Sequence, residues 1–281
     1  MKVCRGVAQL QRARAQRAAP WALVPTMGNL HAGHLRLVAA AHAEGRPVVV
    51  SIYVNPLQFG AGEDFAQYPR TLDADLAALQ AVHADVVFVP AESDLYPRGV
   101  SRQTRVRVPG LSDILCGATR PGHFEGVATV VHRLLTLTAP ECAVFGKKDY
   151  QQWHVIRRMQ EDLSLPVRIL GVDTVRDADG LALSSRNGYL SAEERVRAPA
   201  LYAGLRQVVA DGADAAGEWR GTLERVRTGL QQGGWIPEYL EVRRQADLEL
   251  PHPADRDLVV LAAARLGRTR LIDNLEFRRT V

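Results

Sequence analysis

An α/β fold with a parallel sheet is what this 281-residue sequence predicts. Short β-branched runs alternate with stretches of helical periodicity, the pattern of parallel strands joined by crossover helices. The runs are near-continuously apolar, as strands covered on both faces are. The length exceeds the usual single-domain size and leaves room for a second, smaller domain.

In chain order, the Arg/Ala-rich stretch 8–19 reads as an ordinary surface helix and WALVP (21–25) as the first strand. PVVVSIYV (47–54), ADVVFVP (84–90), ECAVFG (141–146) and VRILGVDTVR (167–176) read as further strands. Leu72, Leu76 and Leu79 recur at helical spacing, and 149–163 predicts a long helix. After Arg176 the texture changes. SAEE (191–194) is a capping box that should start a new helix running to about Asp214. A further helix and the alternating strands YLEVRR (239–244) and RDLVVLAAARLGRTRLIDNL (256–275) follow. Residues 1–176 are therefore expected to form the larger domain and 177–281 a smaller α+β one.

Charged residues make up 23% and hydrophobic ones 47%, so a sizeable core is expected and disorder is not. The net charge of +4 is mild and owes much to Arg5, Arg12, Arg14 and Arg17; it suits any acidic ligand as well as a nucleic acid. The interleaved aromatics and Lys/Arg stripe of a nucleic-acid binder are absent. Cys4, Cys116 and Cys142 lack disulfide-framework or zinc spacing, which fits a reducing cytoplasm. No apolar run approaches membrane-spanning length, and no secretory h-region follows the basic N-terminus.

Four stretches carry candidate chemistry. In VPTMGNLHAGHLRLV, His31 and His34 fall three apart at the entry of a helix that follows the first strand, so both imidazoles project together as donors. Gly28 and Gly33 let a ligand approach the backbone, and the helix end adds partial positive charge; the natural guest is a phosphate chain. In SIYVNPLQFG, Asn55 and Gln58 follow the second strand, with Pro56 forcing a turn. Asn55 fits turn chemistry, whereas Gln58 has little turn preference. FGKKDYQQ (145–152) offers Lys148, Asp149 and Gln152 after another strand; Lys147 reads better as a solvated cation. DGLALSSRN (179–187) sets Ser184, Ser185 and Arg186 on an expected mobile loop at the domain junction, suited to phosphate oxygens.

Taken together, PTMGNLHAGH, YVNPLQF, RPGHFEGV, FGKKDYQQ and LSSRNGYL resemble the pantothenate synthetase (pantoate–β-alanine ligase) family of the HxGH-bearing nucleotidyltransferases. LEVR and ARLGRTRLIDN extend the likeness almost to the end of the chain. The resemblance implies a Rossmann-like N-terminal domain, a C-terminal lid and a cytoplasmic homodimer. It also implies a Mg²⁺-dependent reaction of ATP, pantoate and β-alanine that passes through a pantoyl adenylate. By the same resemblance Met27, Gly28, Asn29, Leu30, His31, Ala32, Gly33 and His34 cradle ATP, with His34 catalytic and His31 assisting. Gly146, Lys147, Lys148 and Asp149 hold the nucleotide, Asp149 at the ribose and Lys148 at the phosphates; Val175 meets adenine, and Leu183, Ser184, Ser185 and Arg186 close over the triphosphate. Gln58, Gln152, Asn55 and Arg120 serve pantoate. Ala32 stands where the family commonly has an acid and Lys147 where Glu or Gln is common.

Charge developing on the phosphate oxygens during adenylation needs preorganised cations and donors, and His31, His34, Lys148 and Arg186 fit that need; no nucleophilic side chain is required. The competing readings are another nucleotidyltransferase, against which the amides argue, a basic nucleic-acid-binding module, and a non-catalytic nucleotide sensor. The metal ligands stay open: Asp73 and Asp75 are candidates, but both also suit a helix N-terminus.

Overall fold

The computed structural model describes residues 1–16, 19–60, 62–212 and 219–280. The chain forms two compact units, Met1–Lys147 with Gln152–Asp173, and Lys148–Gln151 with Thr174–Val281. In chain order the elements of the larger part are β1 (Lys2–Cys4), α1 (Val7–Ala15), β2 (Ala22–Thr26), α2 (Ala32–Ala43), β3 (Val48–Ile52), α3 (Leu72–Ala81) and β4 (Val86–Phe88). The one-turn helices α4 (Glu92–Leu95) and α5 (Cys116–Thr119) follow, then α6 (His123–Thr138), β5 (Cys142–Gly146), α7 (Tyr150–Asp162) and β6 (Arg168–Val172).

These six strands form one parallel sheet in the order β1-β4-β3-β2-β5-β6. Ala22, Val24, Val48, Val50 and Val144 pack on Leu37, Val38 and Ala41 of α2 and Leu79 of α3. Leu23 and Val49, at the alternate positions, are equally buried on the opposite face, where α6 contacts β2. Both faces are covered, which is why the strand sequences are apolar throughout. The strand order reverses between β2 and β5. The crevice outside the carboxyl ends at such a reversal is where open α/β sheets hold ligands, and the loops leaving β2 at Met27 and β5 at Lys147 begin there.

The expected strands are all present; four are shorter than their apolar runs, and the first is shifted by one residue, to Ala22–Thr26. β1 has no counterpart in the sequence reading, because three residues are too few to show a period. The expected helix over 8–19 is α1, Val7–Ala15, which buries Leu10 and Ala13; Arg17 and Ala18 lie outside the described residues.

The second unit holds α8 (Ala192–Arg197), α9 (Ala200–Gly212), α10 (Trp219–Gln232) and the antiparallel sheet β7 (Trp235–Arg244), β8 (Asp257–Leu266), β9 (Thr269–Arg278). The capping box forms as expected: Ser191 Oγ accepts from the Glu194 N–H at 3.2 Å, and Glu194 Oε2 accepts from the Ser191 N–H at 2.9 Å. The helix it starts is not continuous, contrary to expectation. Pro199 cannot donate to the preceding turn, so α8 stops at Arg197 and α9 restarts with the Pro199 carbonyl accepting from Ala203. The expected end near Asp214 lies outside the described residues. Stretch 256–275 is a hairpin of two strands, turned at Gly267 with φ 54°. Leu201, Leu205 and Val208 of α9 and Val226 and Leu230 of α10 form the core against Leu240, Leu258, Val260 and Leu271 of the sheet.

Candidate active site

The loop after β2 is built by one buried carboxylate. Gly28 (φ 82°) and Asn29 (φ 51°) both lie in the left-handed region. The turn they make exposes two successive N–H groups, and Asp75, 3% exposed on α3, accepts both, from Asn29 at 3.0 Å and Leu30 at 2.8 Å. Thr71 Oγ1 donates to the same carboxylate. A Cβ on Gly28 would sit 2.9 Å from Asp75 Oδ2, so the turn needs glycine there. Asp75 is thus neither a plain helix-end acid nor an open metal ligand: its oxygens are spent on the loop. Asp73 is exposed on the first turn of α3.

That loop delivers the chain into α2, whose N-terminus is capped by the two histidines. His31 Nδ1 accepts from the Gly33 N–H at 3.1 Å, and His34 Nδ1 accepts from the His31 N–H at 3.3 Å. The ring centroids are 4.1 Å apart, so the pair is brought together as expected. The caps fix more than the helix end. A nitrogen that accepts from a backbone N–H carries no proton, so each neutral ring holds its proton on Nε2. Two imidazole N–H donors of fixed tautomer result.

The amides after β3 meet this loop. Asn55 caps the 3₁₀ turn Pro56–Gln58, and Gln58 Nε2 donates to Met27 Sδ at 3.0 Å. Asn55 is 1% exposed and its amide is fully engaged within the protein. Arg120 is engaged too: Nε and Nη2 grip Glu63 at 2.7 and 2.6 Å, and Nη2 also donates to the Gln58 carbonyl at 3.2 Å. His123 Nδ1 lies 2.7 Å from that same carbonyl. Sequence reading missed Glu63, His123 and Tyr96; only His123 lay in a stretch it had singled out, RPGHF. Gln152 stands in the first turn of α7, and among the described residues no hydrogen bond joins it to the Gln58 group.

Burial alone would raise the Glu63 carboxyl, but the Arg120 guanidinium outweighs it and holds the group at about 2, below its ordinary 4.5. A carboxyl depressed on folding stabilises the protein above its unfolded pKa, and that contribution fades as pH falls toward the folded one. Arg120→Met should therefore lose stability most at neutral pH, and its deficit in urea midpoint should shrink between about pH 4.5 and pH 2. A deficit independent of pH would show that Glu63 is not what Arg120 stabilises.

Of the residues after β5, Gly146 ends the strand and Lys147 pairs with Asp173 at 3.1 Å while lying over the Trp153 ring. In the second unit, Lys148 and Asp149 complete a 3₁₀ turn, and Asn274 Nδ2 donates to the Lys148 carbonyl at 3.0 Å. Val175 accepts through its carbonyl from the Leu183 N–H at 2.9 Å. Ser184 Oγ accepts from the Arg186 N–H at 3.3 Å, opening the turn Ser185–Tyr189. The 179–187 loop is therefore braced at both ends, with Asn187 Nδ2 donating to the Ala182 carbonyl. Ala32 and Gly33 form the first turn of α2.

Fold and site define the class: an α/β enzyme whose sheet reversal carries a donor-rich site for a polar small molecule. The family model described as pantoate–β-alanine ligase matches residues 2–276. The pantothenate synthetase of Chromobacterium violaceum is 55% identical over 98% of this chain and 99% of its own length. That of Thioalkalivibrio sulfidiphilus is 57% identical, over 90% and 89%. The crystal structure of pantothenate synthetase from Thermus thermophilus superposes with a TM-score of 0.91 at 45% identity, covering 98% of this chain and 99% of that one. A Francisella tularensis pantoate–β-alanine ligase, complexed with β,γ-ATP and β-alanine, gives 0.84 at 33% identity, with 98% and 97% covered. The chain belongs to the pantoate–β-alanine ligase family.

Proposed function

We propose that the chain joins pantoate to β-alanine at the expense of ATP, in two steps and through a pantoyl adenylate. A carboxylate does not acylate an amine unaided. In the first step a pantoate carboxylate oxygen bonds to the α-phosphorus of ATP, the Pα–O bond to the β-phosphate breaks, and pyrophosphate leaves. In the second, the β-alanine nitrogen bonds to the acyl carbon, the bond to AMP breaks, and the amine gives up a proton.

The observation that carries this reading is the meeting of the two donor sets in the first unit. The imidazole-capped loop and Gln58 touch through Met27 Sδ and Gln58 Nε2 at 3.0 Å. A nucleotide bound along Met27–His34 would thereby lie beside a small acid held by Gln58, with Gln152 a second amide for it. His34 and His31 donate to the charge growing on the phosphate oxygens, as Lys148 and Arg186 also would. Asp149 takes the ribose, Val175 the adenine, and Leu183–Arg186 the triphosphate. Asn55 and Arg120 act on pantoate through Gln58 rather than by contact.

Mg²⁺ belongs here with the nucleotide, as MgATP. It keeps several waters and favours phosphate oxygens, so it needs no protein cage. Among the described residues no group of three acids, histidines or cysteines could form one. The second unit acts as the lid that keeps water from the mixed anhydride. We assign the chain to the cytoplasm, as a homodimer; its three cysteines are free and buried, and no described helix is long and apolar enough to cross a membrane.

Exchange of labelled pyrophosphate into ATP tests the two-step route. It should require pantoate and proceed without β-alanine. Exchange that needed β-alanine, or that ran without pantoate, would overturn the adenylate.

A further inference from the structure

Asn55 makes four hydrogen bonds, and two of them leave no choice about which end of its amide is which. The Leu57 backbone N–H, 3.3 Å away, can only donate, so the atom facing it is Oδ1. The Gly126 carbonyl, 3.1 Å away, can only accept, so the atom facing it is Nδ2. Tyr96, whose hydroxyl burial keeps protonated, donates to Oδ1 at 2.7 Å. The second N–H of Nδ2 is then directed at Gln58 Oε1, at 3.2 Å.

The polarity passes on to Gln58. With its oxygen turned to Asn55, Gln58 presents its N–H groups on the side that faces Met27. One of them is aimed at Met27 Sδ, and a thioether is a weak acceptor that a substrate oxygen would readily replace. The approach that makes this possible depends on Gly126: a Cβ there would lie 2.1 Å from the Leu57 carbonyl oxygen and 2.7 Å from the Gln58 nitrogen. From the other side, Arg120 and His123 hold the Gln58 carbonyl, so the backbone of this residue is fixed as firmly as its amide.

We propose that Asn55 is a positioning residue that sets the polarity of Gln58, so that Gln58 meets pantoate with N–H donors only. The site therefore selects a carboxylate or another pure acceptor at that point and rejects a group that must donate. This rests on the reading of Gln58 as a pantoate ligand.

Three variants test it, each assayed for KM of pantoate and of ATP beside thermal unfolding. Gln58→Ala removes the donor and should raise KM for pantoate about tenfold, leaving that for ATP unchanged. Gln58→Glu keeps the shape and the bond from Asn55 but turns an oxygen toward the substrate, and should be worse than Ala by about a further tenfold. Asn55→Asp can no longer donate to Gln58, so Gln58 must turn its N–H toward residue 55; pantoate KM should rise as in the Glu variant. Tyr53→Phe is the control, since the nearby Tyr53 hydroxyl is buried without a hydrogen-bond partner among the described residues, and should leave both constants alone. If neither Gln58 variant changes pantoate KM, the Gln58 reading falls and the inference with it. If Ala raises KM but Glu does no worse, Gln58 binds pantoate with the opposite polarity and only the inference falls. The Ala–Glu comparison decides even if Asn55→Asp does not fold; a folded Asn55→Asp with parental pantoate KM overturns the role of Asn55.

Discussion

His34→Ala should slow pantoyl adenylate formation by about a hundredfold or more, the usual cost of losing one preorganised donor to a developing oxyanion. It should also cost stability, because His34 Nδ1 closes half of the α2 capping box; losing such a cap costs about 1 kcal/mol. The two nitrogens of one ring thus have separable duties, and two isosteric replacements separate them. Asparagine places an amide oxygen near the Nδ1 position and nothing at Nε2, so His34→Asn should recover the melting temperature but not the rate. Glutamine reaches the Nε2 position with an N–H and leaves Nδ1 empty, so His34→Gln should recover part of the rate and none of the cap. Single-turnover adenylate formation, measured beside thermal unfolding, reads both. A folded His34→Asn enzyme working at the parental rate would mean that His34 serves only to cap its helix.

What could be read from the sequence follows the range of the forces involved. Strand β3 announced itself because five consecutive residues, Val48–Ile52, are buried on both faces of the sheet. The Ser191–Glu194 box was legible because its partners are three residues apart. The pairing of His31 with His34 was legible for the same reason, although their use of Nδ1 as helix caps was not, since a sequence does not say which ring nitrogen a backbone N–H will meet. The bracing of the loop by Asp75 was hidden because its partners Asn29 and Leu30 are 46 and 45 positions away. From sequence, Asp75 looks like any acid in a helix's first turn. Arg120 was expected only to serve pantoate, and its neutraliser Glu63, 57 residues earlier in a loop, carried no pattern of its own. Local rules located the donors; long-range pairs determine which of them remain available to a ligand.

Arg176→Met should destabilise the second unit by about 3–5 kcal/mol, the range for breaking one side of a buried ion pair. Arg176 Nη1 and Nη2 reach the two oxygens of Asp273 at 2.6 and 2.9 Å, and the side chains are only 15% and 4% exposed. The guanidinium also donates to the carbonyls of Gly180 and Asn274 and lies 3.7 Å from the centre of the Tyr202 ring. Methionine keeps some of that packing and none of the donors. Burial already pushes the Asp273 carboxyl up, against the pull of Arg176. Without the arginine it would take up a proton sooner than stay charged and unpaired. The folded variant then binds more protons than its unfolded chain, so its stability falls as pH rises, and the deficit should be larger at about pH 8 than at about pH 5. The RLIDN segment accounts for a functional cost as well: Asn274, next to Asp273, holds the Lys148 carbonyl, and Val175 precedes Arg176. A loosened pair should therefore raise KM for ATP even below the melting temperature. Replacing both partners, as in Arg176→Met with Asp273→Leu, removes the orphaned carboxyl and should restore most of the stability without restoring the ATP constant. If the single variant unfolds within about 1 kcal/mol of the parent at both pH values, the pair is not what holds this unit's Arg176–Asn274 corner together.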